Sequence, residues 1–200
     1  MKHLVFLLFC ITTLSCAQQK QELPGETPFQ KELNAEFKDA SQSPLKNKDL
    51  KTFSGLDFFK YDSTYVVTAQ LKRTPDTPFF SMQTTTSRVS QERIYGVVSF
   101  ELHGKTFALN VYQGQDLMTR DGFKDYLFLP FLDDTNSNTT YGGGRYIDLR
   151  IPDGDTIEVD FNKAYNPYCA YNEKYSCPIV PLSNYMEASI EAGVKVFKKH

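Results

Sequence analysis

From residue 65 the chain alternates between apolar and polar side chains. Tyr65, Val67, Ala69 and Leu71 interleave with Thr64, Val66, Thr68 and Gln70, the period-two signature of a half-buried strand. The same reading assigns strands to residues 79–87, 94–102, 106–112, 126–131, 145–151 and 156–161. Pro75-Asp76-Thr77-Pro78 marks a turn, and His103-Gly104 a tight hairpin. Asp153-Gly154-Asp155 reads as the tip of another hairpin, between the strands at 145–151 and 156–161. Met186, Ala188, Ile190, Ala192, Val194 and Val196 alternate over a long last strand. No helical pattern separates consecutive strands, which excludes a doubly wound parallel sheet. The expectation is a mainly β fold: an antiparallel barrel or sandwich of about eight strands with one N-terminal amphipathic helix.

That helix is announced by Thr27-Pro28-Phe29-Gln30. Thr27 suits the N-cap, Pro28 the first helical position and Gln30 a capping-box partner. Phe29, Leu33, Phe37 and Ala40 then make one apolar stripe, with Lys31, Glu32, Glu36 and Lys38 elsewhere. Ser43-Pro44 is the expected stop, and the helix is expected to pack across one end of the sheet.

Composition adds a class and excludes another. The 200 residues give room for one domain with a real core; 40% are hydrophobic and 23% charged, as in a folded globular protein. The formal net charge is −2 with both signs mixed along the chain. No basic stripe exists to displace counterions from nucleic acid, so no nucleic-acid partner is expected. Sixteen Phe and twelve Tyr on short runs agree with strands.

The first residues indicate a compartment. Lys2 and His3 precede an apolar run from Leu4 to Ile11, too short to span a bilayer, so residues 1–15 read as a signal peptide. Leu14-Ser15-Cys16 resembles a bacterial lipobox in which Cys16 is lipidated and becomes the new N-terminus. Residues 16–26 then form a lipidated tether, and residues 27–200 a single domain. The protein is expected to be exported and anchored to a bacterial cell membrane through acyl chains. Cys10 leaves with the signal peptide, and Cys169 and Cys177 remain as an even pair in an oxidising compartment. A disulfide between them would contribute about 2.5 kcal/mol by loop closure. Zinc is the rival use, but His103 sits at a hairpin tip and His200 ends the chain; the expectation is no metal and no cofactor.

Residues 129–184 carry the densest motif. Leu129-Pro130-Phe131-Leu132-Asp133-Asp134-Thr135 leads to Thr140-Tyr141-Gly142-Gly143-Gly144-Arg145-Tyr146. Asp160-Phe161-Asn162-Lys163-Ala164-Tyr165-Asn166-Pro167-Tyr168-Cys169-Ala170-Tyr171 follows, then Cys177-Pro178. The glycines allow close backbone approach or positive φ. With Arg145 they could hold an anion, or they could simply form a bulge or bend. Asp160 and Asn162 share one strand face, opposite Phe161. A buried Asp160 would need a partner, and Arg145 is the first candidate.

This pattern resembles the family known as domain of unknown function 1684. The match extends to Ser43-Pro44-Leu45 and to Phe53-Ser54-Gly55-Leu56-Asp57-Phe58-Phe59. Ser183, Tyr185 and Val194 stand where that pattern has Glu, Arg and Glu. The resemblance implies a fold and a site region, and no activity.

The functional expectation is a small-ligand-binding or accessory module of the cell envelope. Its pocket would be lined by Tyr141, Gly143, Arg145, Asp160, Asn162, Tyr165 and Asn166. One alternative is a hydrolase pairing Asp133 or Asp134 with Asp160. The other is a purely structural envelope protein. A triad is poorly supported, because there is no Gly-x-Ser-x-Gly elbow and the only interior histidine is the hairpin-tip His103.

Overall fold

The computed structural model describes residues 23–197. The expected signal peptide, Cys16 and His200 lie outside the described residues. Eight strands form one curled half-barrel sheet that is mostly antiparallel. They are β1 (Val66–Arg73), β2 (Phe80–Gln83), β3 (Val89–Leu102), β4 (Lys105–Gly114), β5 (Tyr126–Asp133), β6 (Arg145–Arg150), β7 (Thr156–Asp160) and β8 (Tyr185–Met186). Two helices precede them: α1 (Pro28–Lys38) and a short α2 (Asn47–Thr52) that local pattern did not announce. The main path runs β6-β5-β4-β3-β1-β7, with β2 added to β3 and β8 parallel to β5.

Alternation places the core. Leu127, Leu129, Phe131 and Asp133 of β5 point to the concave face, as do Arg145, Ile147 and Leu149 of β6. They meet Val98, Phe100, Leu109, Val111, Val159 and Phe161 in the main cluster. The convex face is also covered near β5 and β6, where Tyr112, Phe128, Tyr146, Met82 and Val180 form a second cluster. That is why β5 is buried along nearly its whole length.

The hairpin at Asp153-Gly154-Asp155 does not form. β6 pairs with β5 and β7 pairs with β1, so the two strands occupy opposite ends of the sheet path. The long last strand is also absent: only Tyr185–Met186 is strand. Beyond it the backbone is bound by scattered partners, including Val194 N–H to Ala164 O at 2.9 Å and Val196 N–H to Thr139 O at 2.9 Å. Alternating burial survives there, with Ile190, Ala192 and Val194 inside, but no neighbouring strand supplies a ladder.

The β4–β5 junction is thin, with a single registered pair, Tyr112 and Phe128. Pro130 has no N–H for a ladder. Asn184, fully buried, fills the gap. Its amide donates to Asn110 O (2.8 Å) and Pro130 O (2.7 Å), and its oxygen accepts from Asn110 N–H (3.0 Å).

α1 starts as expected, with Thr27 Oγ1 accepting from Gln30 N–H at 3.2 Å. Gln30 reaches Glu26 N–H (2.7 Å) rather than Thr27. The helix ends at Lys38, before Ser43-Pro44, and Ala40 is exposed beyond it. Its buried residues are Gln30, Asn34 and Phe37, not the whole stripe. Asn34 is buried because it is satisfied, donating to Pro24 O (2.6 Å) and accepting from Leu56 N–H (2.7 Å). Phe37 packs with Phe53, Leu56, Tyr171 and Val194 in a separate core beside the sheet. Phe29 and Leu33 are left half-buried, facing a cavity.

Candidate functional site

The glycine loop leads into β6 and fixes the direction of Arg145. Gly144 has φ +86°, and a Cβ there would lie 2.6 Å from Phe131 O, so the bend requires glycine. A Cβ on Gly143 would meet the Tyr141 ring at 2.6 Å. Arg145 then shares the inward face with Ile147 and Leu149, and its side chain is fully buried. Its Nη2 donates to Asp133 Oδ2 (2.9 Å) and Ile190 O (2.8 Å), and its Nη1 donates to Ala192 O. Its guanidinium also stacks over Phe131, 5.2 Å from the ring centroid. Burial pulls the Arg145 pKa down, and the Asp133 charge opposes this. Asp133 Oδ1 accepts from Thr135 N–H (2.9 Å), Thr135 Oγ1 (2.5 Å) and Ile190 N–H (3.2 Å).

The partner of Arg145 is therefore Asp133, not Asp160. Period two in β5 holds the signal: Asp133 follows Leu127, Leu129 and Phe131 on one face. Asp160 instead caps its own turn. The chain leaves strand geometry at Phe161–Lys163, and Asp160 Oδ1 accepts from Asn162 N–H (3.0 Å) and Nδ2 (2.9 Å). Lys163 Nζ lies 3.6 Å from Asp160 Oδ2. Asn162 pairs with the backbone of Asp62 in both directions. Asp160 and Asn162 line a hollow of about 450 Å³ with Thr27, Pro28, Phe29, Tyr61 and Lys163. Asn166 is buried, donating to Lys195 O (2.9 Å) and Tyr171 Oη (3.3 Å). Asp134 accepts from the Tyr185 hydroxyl.

Of the expected ligand residues, Tyr165 alone reaches a cavity rich in aromatic side chains. This cavity holds about 410 Å³, a volume suited to a small molecule. α1 supplies Phe29, Leu33 and Glu36; β6 supplies Tyr146 and Asp148 from its convex face. The remaining wall is Tyr165, Pro167 and Tyr168, then Tyr175, Ser176 and Cys177. Tyr146 and Tyr165 meet edge to face at 5.9 Å, and Tyr168 and Tyr175 at 5.3 Å.

Three of the tyrosine hydroxyls are already engaged. Tyr165 donates to Asp148 Oδ1 (2.5 Å), which also accepts from Tyr126 (2.7 Å). Tyr168 donates to Glu36 Oε1 and Tyr146 to Pro178 O. Burial, then neighbouring Tyr126 and the Asp148 charge, push the Tyr165 pKa well up, so its hydroxyl remains a donor. The wall thus carries two carboxylates and no Lys or Arg. Asp148 was missed in the sequence, although it stands two residues after Tyr146 and opposite Ile147 in the alternation.

Cys169 and Cys177 stand as free thiols where a disulfide was expected. The Cys169 N–H donates to Cys177 Sγ at 3.2 Å, and the Tyr141 hydroxyl lies 3.9 Å from Cys169 Sγ. His103 is elsewhere, bonded to Thr64 Oγ1 at 3.1 Å and edge to face with Tyr65 at 4.8 Å. Among the described residues, no group of three or more His, Cys, Asp or Glu could hold a metal ion.

A family profile described as "Protein of unknown function (DUF1684)" matches residues 51–195. The solution NMR structure of an uncharacterized protein from Haloarcula marismortui is similar to this chain, with 33% identity and a TM-score of 0.67. The similarity covers 86% of this chain and 92% of that one. No curated protein matches the chain.

Proposed function

The chain belongs to the DUF1684 family of proteins of unknown function, and on that footing we propose that it is a small-ligand-binding module whose tyrosine cavity takes a compact organic cation. One observation carries this reading: four tyrosines and two carboxylates line a single cavity with no basic side chain. Aromatic faces attract ammonium groups through the ring quadrupole, by roughly 0.5–2 kcal/mol per contact as water is removed. The hydroxyls of Tyr146, Tyr165 and Tyr168 are engaged by protein acceptors, so those rings contribute their π surface rather than hydrogen bonds. Asp148 and Glu36 add a matching negative field. Lys174 Nζ already lies 4.9 Å from the Tyr175 ring centroid, a local instance of the same chemistry.

Choline and its neutral carbon isostere dimethylbutanol separate charge from shape. In an NMR titration, choline should move the resonances of Tyr146, Tyr165 and Tyr168. The isostere should bind roughly tenfold more weakly, and Asp148→Asn should narrow that gap. Equal affinity for the two probes, or shifts elsewhere in the protein, would sink the proposal.

The proposed setting is the bacterial cell envelope, with the protein exported and held by acyl chains on Cys16. Support comes from the short apolar run at Leu4 to Ile11 and from the Leu14-Ser15-Cys16 triplet. The test is fractionation: wild type should sediment with membranes, and Cys16→Ser should release the protein into the soluble fraction.

A further inference from the structure

The two cysteines are placed asymmetrically. Cys169 lies in the helical turn Tyr168–Ala170 and is half-buried, whereas Cys177 is buried. The far end of their loop is fixed, with Cys177 N–H donating to Thr85 Oγ1 (3.1 Å) and Thr85 N–H to Cys177 O (2.9 Å). Donors converge on the sulfurs. The Tyr141 hydroxyl approaches Cys169 Sγ, and the Cys169 N–H points at Cys177 Sγ. A structural buried cysteine needs no such donors, because a thiol behaves as a small hydrophobe. Donors aimed at a sulfur favour its thiolate, the form that reacts.

We propose that Cys169 and Cys177 are a redox-active dithiol, in which Cys169 exchanges with small-molecule disulfides and Cys177 closes the intramolecular disulfide. The Cys169 thiolate attacks one sulfur of a disulfide RSSR. A bond forms from Cys169 to that sulfur, the S–S bond of RSSR breaks, and RS⁻ leaves to take up a proton. Cys177 then loses its proton and attacks Cys169 Sγ, releasing the second RSH. The protein dithiol is oxidised by two electrons, and RSSR is reduced to two RSH.

The charge arrangement suits both steps. The hydrogen bond from Cys177, and then that from Tyr141, outweigh burial and hold the Cys169 thiol down to about 6. The hydrogen bond to Cys169, followed by burial, pushes Cys177 up. Cys177, the more buried of the two, is the thiol that holds its proton more firmly. Once Cys169 is capped as a mixed disulfide, its negative charge is gone and Cys177 ionises more readily. The Cys169 N–H, 3.2 Å from Cys177 Sγ, is in place to stabilise that second thiolate.

The test is thiol chemistry on the whole folded protein with no cavity ligand added, since Cys177 also lines the tyrosine cavity. With the reduced wild type, iodoacetamide should alkylate Cys169 at least tenfold faster than Cys177, and the rate should rise with pH around a midpoint near 6. Oxidised glutathione should leave wild type lighter by the two thiol hydrogens and without adduct. Cys177→Ser should stop at one glutathione on Cys169, and Cys169→Ser should acquire none. Alkylation of Cys177 first, equal rates at both thiols, or no labelling before unfolding would overturn the proposal. So would a native disulfide that dithiothreitol does not open. The wild-type labelling order needs no variant, so it holds even if a substitution prevents folding.

Discussion

Arg145 Nη2 lies 2.9 Å from Asp133 Oδ2, and neither side chain exposes any surface to solvent. This pair fastens the C-terminal segment to the sheet. Arg145 takes the carbonyls of Ile190 and Ala192, and Asp133 takes the N–H of Ile190. A segment without a strand partner is thus bound by side chains from β5 and β6.

Removing one member of such a pair leaves the other charge buried, at a cost of roughly 3–5 kcal/mol. Arg145→Met and Asp133→Asn are each expected to lose stability on that scale in urea denaturation. The combined variant should lose less than the sum, because neither charge is then left alone. Single losses below about 1 kcal/mol would mean that the pair contributes little to the fold.

The glycine loop separates into positions that need glycine and one that does not. Gly144→Ala places a Cβ at φ +86° against Phe131 O (2.6 Å) and Val180 Cγ2 (2.7 Å). The expected loss is roughly 1–3 kcal/mol. At Gly142 the added Cβ meets the Ser137 hydroxyl, which can rotate away. Gly142→Ala should therefore stay within about 0.5 kcal/mol of wild type. Thermal melts of the two variants side by side would test the contrast.

Glu92 supplies a pH dependence of definite sign. It is buried on β3, with Oε1 accepting from Ser90 (2.7 Å) and Oε2 without a partner. Burial raises its pKa, while Ser90 and Arg88 oppose the rise. A raised folded-state pKa means that stability is fully present below the unfolded value and is lost as pH rises through the folded one. Glu92→Gln keeps the acceptor for Ser90 and removes the ionisation. The variant is expected to be more stable than wild type at neutral pH, with the advantage vanishing on acidification below the ordinary glutamate range. Denaturation curves across that range would reveal an opposite slope if this assignment is wrong.

Asn184 replaces a stretch of β-ladder between β4 and β5. Asn184→Leu keeps much of the volume but leaves Asn110 N–H, Asn110 O and Pro130 O unpaired, at roughly 1–3 kcal/mol for each group left buried. Hydrogen exchange should then rise along β4 and β5 while β1 and β7 keep their protection. Uniform exchange across the sheet would argue against a local gap-filling role.

Local periodicity determined much of this protein. Where residues alternate, as at 66–71, 97–102 and 106–111, the strands sit where the pattern puts them, because the two faces of a strand follow from backbone geometry alone. The cap at Thr27 was legible for the same reason, since its partner lies three residues away.

Tertiary structure decided the choice of partner. The alternation at 186–196 looked like strand, but the adjoining carbonyls were already claimed by Arg145. β6 and β7, close neighbours in sequence, went to opposite ends of the sheet path because β5 and β1 offered the edges they paired with. Asp160 was the expected partner of Arg145, and Asp133 took that place only when β5 and β6 came into register, with Phe131 beside Arg145. The tyrosine cavity draws on α1, β6 and two later segments that become neighbours only when the chain has closed on itself. Burial and alternation are properties of a few consecutive residues and can be read from them. Which buried group meets which depends on contacts between segments far apart in the chain, and those exist only once the sheet has curled.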